Sequence, residues 1–168
     1  QETAHKNGLK TTIQMTYASL FNEEAIQIAK EDHEKYGDEI ALSLLGLPCT
    51  EFREKYKTKD FCIWMFSMED KKSIVDDVFG KFYDTFGFYP ESTGSYYMDA
   101  ELTNYIKEKY PSVKCEIATC WEEGPKAYHT CNNSWYTLFD GGPWNPWIPS
   151  KQNTHAPAAN EAEDSGVV

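Results

Sequence analysis

Glu39-Ile40-Ala41-Leu42-Ser43-Leu44-Leu45, bounded by Gly46 and Pro48, is the stretch whose reading decides the fold. It is a mostly apolar run of strand length with no polar face, the pattern of a parallel strand covered on both sides. Immediately upstream, Asn22 offers an N-cap, and Glu23 and Glu24 sit at the positive end of a helix dipole. Ile26, Ala29, His33 and Tyr36 then recur at helical spacing until Gly37 stops the helix. Further upstream, Leu9 to Tyr17 alternates small polar residues with Ile13, Met15 and Tyr17, as a strand does. The chain therefore opens with a strand, a helix and a strand.

Downstream the alternation continues. Phe61 to Phe66 reads as another apolar strand, and Ser67-Met68-Glu69-Asp70 as a helix cap. Val75, Val78, Phe79, Phe82 and Phe86 form an apolar helical stripe that Gly87 ends. Phe88-Tyr89-Pro90-Glu91 reads as a short strand before the polar turn Ser92-Thr93-Gly94-Ser95. Asp99 caps a third helix with Leu102, Tyr105, Ile106 and Lys109 on one face, stopped by Pro111. Val113 to Thr119 and Trp135 to Phe139 read as strands, and Ser165-Gly166-Val167-Val168 as a strand just starting. The expectation is a single α/β domain over residues 1–168 with helices at 22–36, 68–86 and 99–110. Its five or six strands are mainly parallel, with right-handed crossovers, and residues 141–164 are a Gly/Pro/Trp-rich loop region.

Lys+Arg number 16 against 27 Asp+Glu, a formal net charge of −11. Such a balance argues against sequence-independent nucleic-acid binding and against docking on an anionic membrane. No apolar run approaches the ~18–20 residues of a membrane span. His5, His33, His129 and His155 show no HxxxH or HExxH spacing, and surface or packing roles are the default for each. No Gly-rich phosphate loop and no GxSxG elbow is present. Neither a cofactor nor a metal is expected. Cys49, Cys62, Cys115, Cys120 and Cys131 contain no CxxC pair. They read as small buried hydrophobes or, in an exported protein, as one or two disulfides. Asn132-Asn133-Ser134 is a formal glycosylation sequon. The chain begins at Gln1 without a Met and closes on the incipient strand, so it is read as a piece of a longer polypeptide.

In a parallel sheet the chemistry gathers at the carboxyl ends of the strands. Glu91, Glu122 and Asp140 are the carboxylates read there, and are the candidate catalytic residues; a pair of carboxyls suits acid/base work on a sugar. Pro90 fixes the turn before Glu91, while Gly141 and Gly142 let the backbone bend beside Asp140. Trp121, Trp135, Tyr136, Trp144 and Trp147, with Tyr17, supply flat rings that stack on pyranose faces. The competing reading is that these rings plug one end of the sheet.

With that order in hand, the segment Tyr36-Gly37-Asp38-Glu39-Ile40-Ala41-Leu42-Ser43-Leu44-Leu45-Gly46 resembles the polysaccharide deacetylase-like superfamily. So does Phe86-Gly87-Phe88-Tyr89-Pro90-Glu91-Ser92-Thr93-Gly94. The region from Tyr136 to Asn153 is similar to exported bacterial proteins of unassigned function in the same superfamily. The resemblance implies an incomplete, distorted (β/α)7-type barrel lacking its first β/α unit and last strands, and a secreted or periplasmic location. It also implies a carbohydrate ligand, with the remainder of the polypeptide as partner. Where the family places its HxxxH metal ligands this chain has Ser43 and Leu47, and no Asp precedes Asp32. The expected activity is therefore that of a metal-independent, glycoside hydrolase-like or degenerate deacetylase-like protein. The alternative is a non-catalytic carbohydrate-binding or structural domain.

Overall fold

A computed structural model of the chain describes residues 1–60, 62–95, 98–117 and 148–168. In chain order these form α1 (Glu2–Lys6), β1 (Thr12–Thr16), α2 (Glu23–Tyr36), β2 (Glu39–Ser43), α3 (Thr50–Tyr56) and α4 (Met68–Phe86). There follow β3 (Ser92–Gly94), α5 (Ala100–Lys109), β4 (Cys115–Ile117), β5 (Pro149–Ser150) and β6 (Asn153–Pro157). The three long helices fall where their caps place them. The side chains of Asn22, Ser67 and Asp99 accept from the N–H groups of Ala25, Asp70 and Leu102. Gly37 and Gly87 end α2 and α4 in the left-handed conformation that suits a residue without Cβ.

β1, β2, β3 and β4 form one sheet in that order, every neighbouring pair parallel. Met15 pairs with Leu42, Leu42 with Thr93, and Thr93 with Glu116. Because side chains alternate along a strand, these residues share one face. Ala29 of α2, Ile74, Val78 and Phe82 of α4, and Leu102 and Ile106 of α5 pack with Met15, Ile40 and Leu42 in one buried cluster. Each fully buried aliphatic or aromatic side chain there stabilises the fold by roughly 1.5–3 kcal/mol. On the opposite face Thr12, Gln14, Cys115 and Ile117 are exposed. Helices on one face of a sheet whose strands run in chain order mark a singly wound sheet. No closed barrel is detected among the described residues.

Several expectations are corrected. β2 itself is as expected, buried on both faces, with Ile40 and Leu42 on one and Ala41 and Ser43 on the other. Of the strand expected at Phe61 to Phe66, Phe61 lies outside the described residues and the rest is not a strand: Cys62 makes one antiparallel bridge with Leu45, and Ile63–Met65 coil into a 3-10 turn. Only a few residues separate that bridge from the N-cap Ser67, so the chain must turn into α4. The third strand is Ser92–Gly94 rather than Phe88–Glu91. Phe88 and Tyr89 pack as aromatic wedges instead, Phe88 against His33 and Phe82, Tyr89 against Tyr83 and Tyr110. Pro90, lacking an N–H, cannot join the ladder fully. Within 141–164, Pro149–Ser150 and Asn153–Pro157 pair as an antiparallel hairpin, which is pinned to the start of α5 where Thr154 Oγ1 donates to Met98 O at 2.9 Å. The strand expected at Trp135 to Phe139 lies outside the described residues. Val168 N donates to Lys114 O (2.9 Å) and Glu116 N donates to Val168 O (2.8 Å), the pattern of a parallel neighbour beside β4.

Candidate functional site

Gly94 sets the geometry of the carboxyl half of the sheet. Its φ is +144°, and a Cβ built on it would lie 2.3 Å from Ile117 O. Only glycine lets β4 come so close to β3 at this level. That approach sets Thr93 beside its register partner Glu116 on the helix-covered face, with buried Ser95 following β3 and donating its N–H to Ile117 O. Thr103 of α5 donates through Oγ1 to Glu116 Oε2 at 2.7 Å. Glu116 Oε1, Thr93 Oγ1 and Ser95 Oγ are buried and have no hydrogen-bond partner among the described residues. Buried polar atoms are nearly always paired, so the register partners Thr93 and Glu116, each with such an atom, stand out.

Burial drives the Glu116 carboxyl upward. The Thr103 bond lowers it, the charge of Asp99 raises it and that of Lys107 lowers it, leaving it at about 7. A carboxyl with that value exchanges its proton near neutral pH, as an acid/base catalyst must. At the same end of the sheet, Lys71 Nζ donates to Asp99 Oδ2 at 2.7 Å, and Lys71 is itself buried. Asp99 also caps α5 through Leu102 N. This group was not singled out in the sequence. Alternation in Lys114-Cys115-Glu116-Ile117 suggests a strand with its apolar residues inward; the structure turns Cys115 and Ile117 out and Glu116 in. Of the cysteines read as buried, Cys62 is buried, Cys49 is half-buried and Cys115 is exposed, and all three are free thiols. Cys120 and Cys131 lie outside the described residues.

The residues expected at the strand ends are dispersed. Glu91 precedes β3 instead of following a strand, because the strand lies further along the chain than its apolar residues suggested. Its side chain is exposed and pairs with Lys114 Nζ at 2.8 Å, while its carbonyl accepts from Lys114 N and Cys115 N. Tyr17 follows β1 as expected but is buried edge-on against Phe21 and Phe52, and burial, first among several causes, raises its hydroxyl pKa. Glu91 and Tyr17 are thus not brought together. Glu122, Asp140, Trp121, Trp135, Tyr136, Trp144 and Trp147 lie outside the described residues. Ser43 Oγ accepts from Leu45 N at 3.2 Å, and Leu47 is fully buried in the core. A hydroxyl turned to its own backbone and an aliphatic side chain do not fit the metal that the deacetylase resemblance implies at these two positions.

Comparison with family models, with curated proteins and with solved structures finds no match to this chain. What the fold and site define is a class: an α/β protein with a singly wound parallel sheet and a buried, partly unpaired carboxyl in its carboxyl half.

Proposed function

We propose that the chain is a carbohydrate-active domain, built as part of a (β/α) barrel of the polysaccharide deacetylase-like kind and directed at polysaccharide without a metal at Ser43 and Leu47. The observation that carries this reading is the winding. Four parallel strands in chain order, with helices packed against the face of Met15 and Leu42, have the winding of a stretch of barrel wall. In its carboxyl half the opposite face carries the hydroxyls of Thr16, half-buried, and Ser43, buried.

A second reading, sugar binding without turnover, is favoured by one feature. Among the described residues, the helix-free face offers no carboxylate in its carboxyl half, so an acid/base pair there would have to come from Glu122 and Asp140. The experiment is a glycan array with the full chain, followed by reducing-sugar and acetate-release assays on every glycan bound. Binding with release of reducing ends supports a hydrolase, and binding without turnover supports the second reading. No glycan bound and none cleaved overturns both.

A further inference from the structure

At the amino edge of the sheet, opposite the site just described, three side chains from separate elements converge. They are His5 of α1, Asp32 of α2, and Asp38 immediately before β2. One ring nitrogen and one oxygen from each carboxylate lie within 4.8 Å of one another. We propose that His5, Asp32 and Asp38 bind a divalent transition-metal ion of the zinc class.

The first argument is donor chemistry. One neutral imidazole and two carboxylates carry a net charge of −2 against a divalent cation. An imidazole in the set favours zinc, cobalt or nickel over magnesium or calcium. The second is spacing. His5 Nε2 and Asp38 Oδ2 stand 2.8 Å apart. Two ligands each about 2.0–2.1 Å from one ion stand about 3 Å apart, so small movements admit the metal where a proton now bridges.

The third argument is preorganisation. Asp38 is fully buried, with Oδ1 accepting from Thr11 N at 2.9 Å and Oδ2 from Thr11 Oγ1 at 2.6 Å. These bonds fix the carboxylate as outer partners fix a metal ligand. The His5 side chain is 6% exposed, and its ring stacks on Tyr36 with centroids 3.7 Å apart. The backbone of Asp38 is held as well, its carbonyl lying 2.6 Å from His33 Nδ1.

The fourth argument is the behaviour of Asp32. Its half-buried carboxylate makes no hydrogen bond or ion pair among the described residues, with only the more distant charge of Lys35 acting on it, yet its oxygen lies within 4.8 Å of both the His5 ring nitrogen and the Asp38 carboxylate. A second carboxylate at that pair raises the negative charge of the pocket without any structural bond in return. A cation is the partner that satisfies it.

The test uses chelator-treated full chain, titrated with zinc by calorimetry and with cobalt by visible absorption. The proposal expects one saturable site, and at least a tenfold weaker affinity in Asp32→Asn and in His5→Gln. Asp32→Asn removes no hydrogen bond, so its far-UV circular dichroism should match the parent and loss of binding would not be loss of fold. Cys115→Ser, which removes an exposed thiol far from the cluster in sequence, should leave the affinity unchanged. Absence of saturable binding up to millimolar zinc, or equal affinity in parent, Asp32→Asn and His5→Gln, overturns the proposal.

Discussion

Two buried carboxyls, one at each end of the same sheet, titrate in opposite directions. Burial pushes Asp38 up, but the Thr11 hydroxyl and N–H and the His5 ring more than offset it, holding the carboxyl down at about 2. Burial pushes Glu116 up too, and there the single Thr103 bond leaves it at about 7. The two do not differ in that both are buried. They differ in the number of donors aimed at the charged form. At the amino edge Asp38 is fully paired, and its bonds clip α1 and the start of β1 to β2. The carboxyl half holds a charge it has not finished pairing, a state more often found at functional sites than in scaffolding.

Breaking the amino edge has the largest expected effect. Asp38→Ala removes the acceptor for three donors, and the melting temperature near pH 7 should fall by about 10 °C. Because the folded pKa of Asp38 is depressed, its stabilisation is present above the unfolded value near 3.8 and disappears as pH falls through about 2. Melting curves of parent and variant should therefore converge across that window. A constant gap from pH 7 to pH 2 would show that shape at the clip, not charge, holds it.

A smaller change of opposite sign sharpens the contrast. Glu116→Gln keeps the side-chain shape and a carbonyl for Thr103 but cannot ionise. Since the folded pKa is raised, ionising Glu116 costs stability as pH rises from about 4.5 through about 7. The variant should melt about 5 °C above the parent at pH 8 and level with it at pH 4. Equal melting at both pH values would mean that the carboxylate finds donors after all.

Glu91→Gln should have the least effect on the fold. An exposed pair with Lys114 is worth little, and the melting temperature should shift by less than about 2 °C. The same variant serves as a chemical probe. If the full chain releases reducing sugar, unchanged turnover in Glu91→Gln would remove Glu91 from the candidate acids, whereas lost turnover with an unchanged melt would restore it.

The caps and stops of the long helices were legible because they are local. Asn22, Ser67 and Asp99 satisfy N–H groups three residues on, and Gly37 and Gly87 take up left-handed turns that neighbouring residues dictate. The run Glu39 to Leu45 announced a buried parallel strand for the same reason: its apolar residues need cover whatever provides it. The strand at Phe88 was misplaced because aromatic residues score as strand formers, while here Phe88 and Tyr89 stay over a third exposed and lie against the rings of His33, Phe82, Tyr83 and Tyr110. Facing was harder still. Which side of β4 turns inward depends on Thr103 of α5 and on how near Gly94 lets β4 approach, neither of which a pattern within Lys114 to Ile117 contains.

By itself the sequence determined the α/β class, the boundaries of the three long helices but not α1 or α3, the acidic balance and the absence of metal ligands at Ser43 and Leu47. These rest on local hydrogen bonding, hydrophobic period and residue identity. Only the tertiary structure decided that the helices lie on one face of the sheet, that Glu91 stands before a strand, and that Glu116 is buried. It alone brought His5 to Asp38, 33 residues away along the chain. The physical reason is that a pKa, a ligand set or a buried orphan oxygen belongs to the space between elements, and packing, not neighbours in sequence, fills that space.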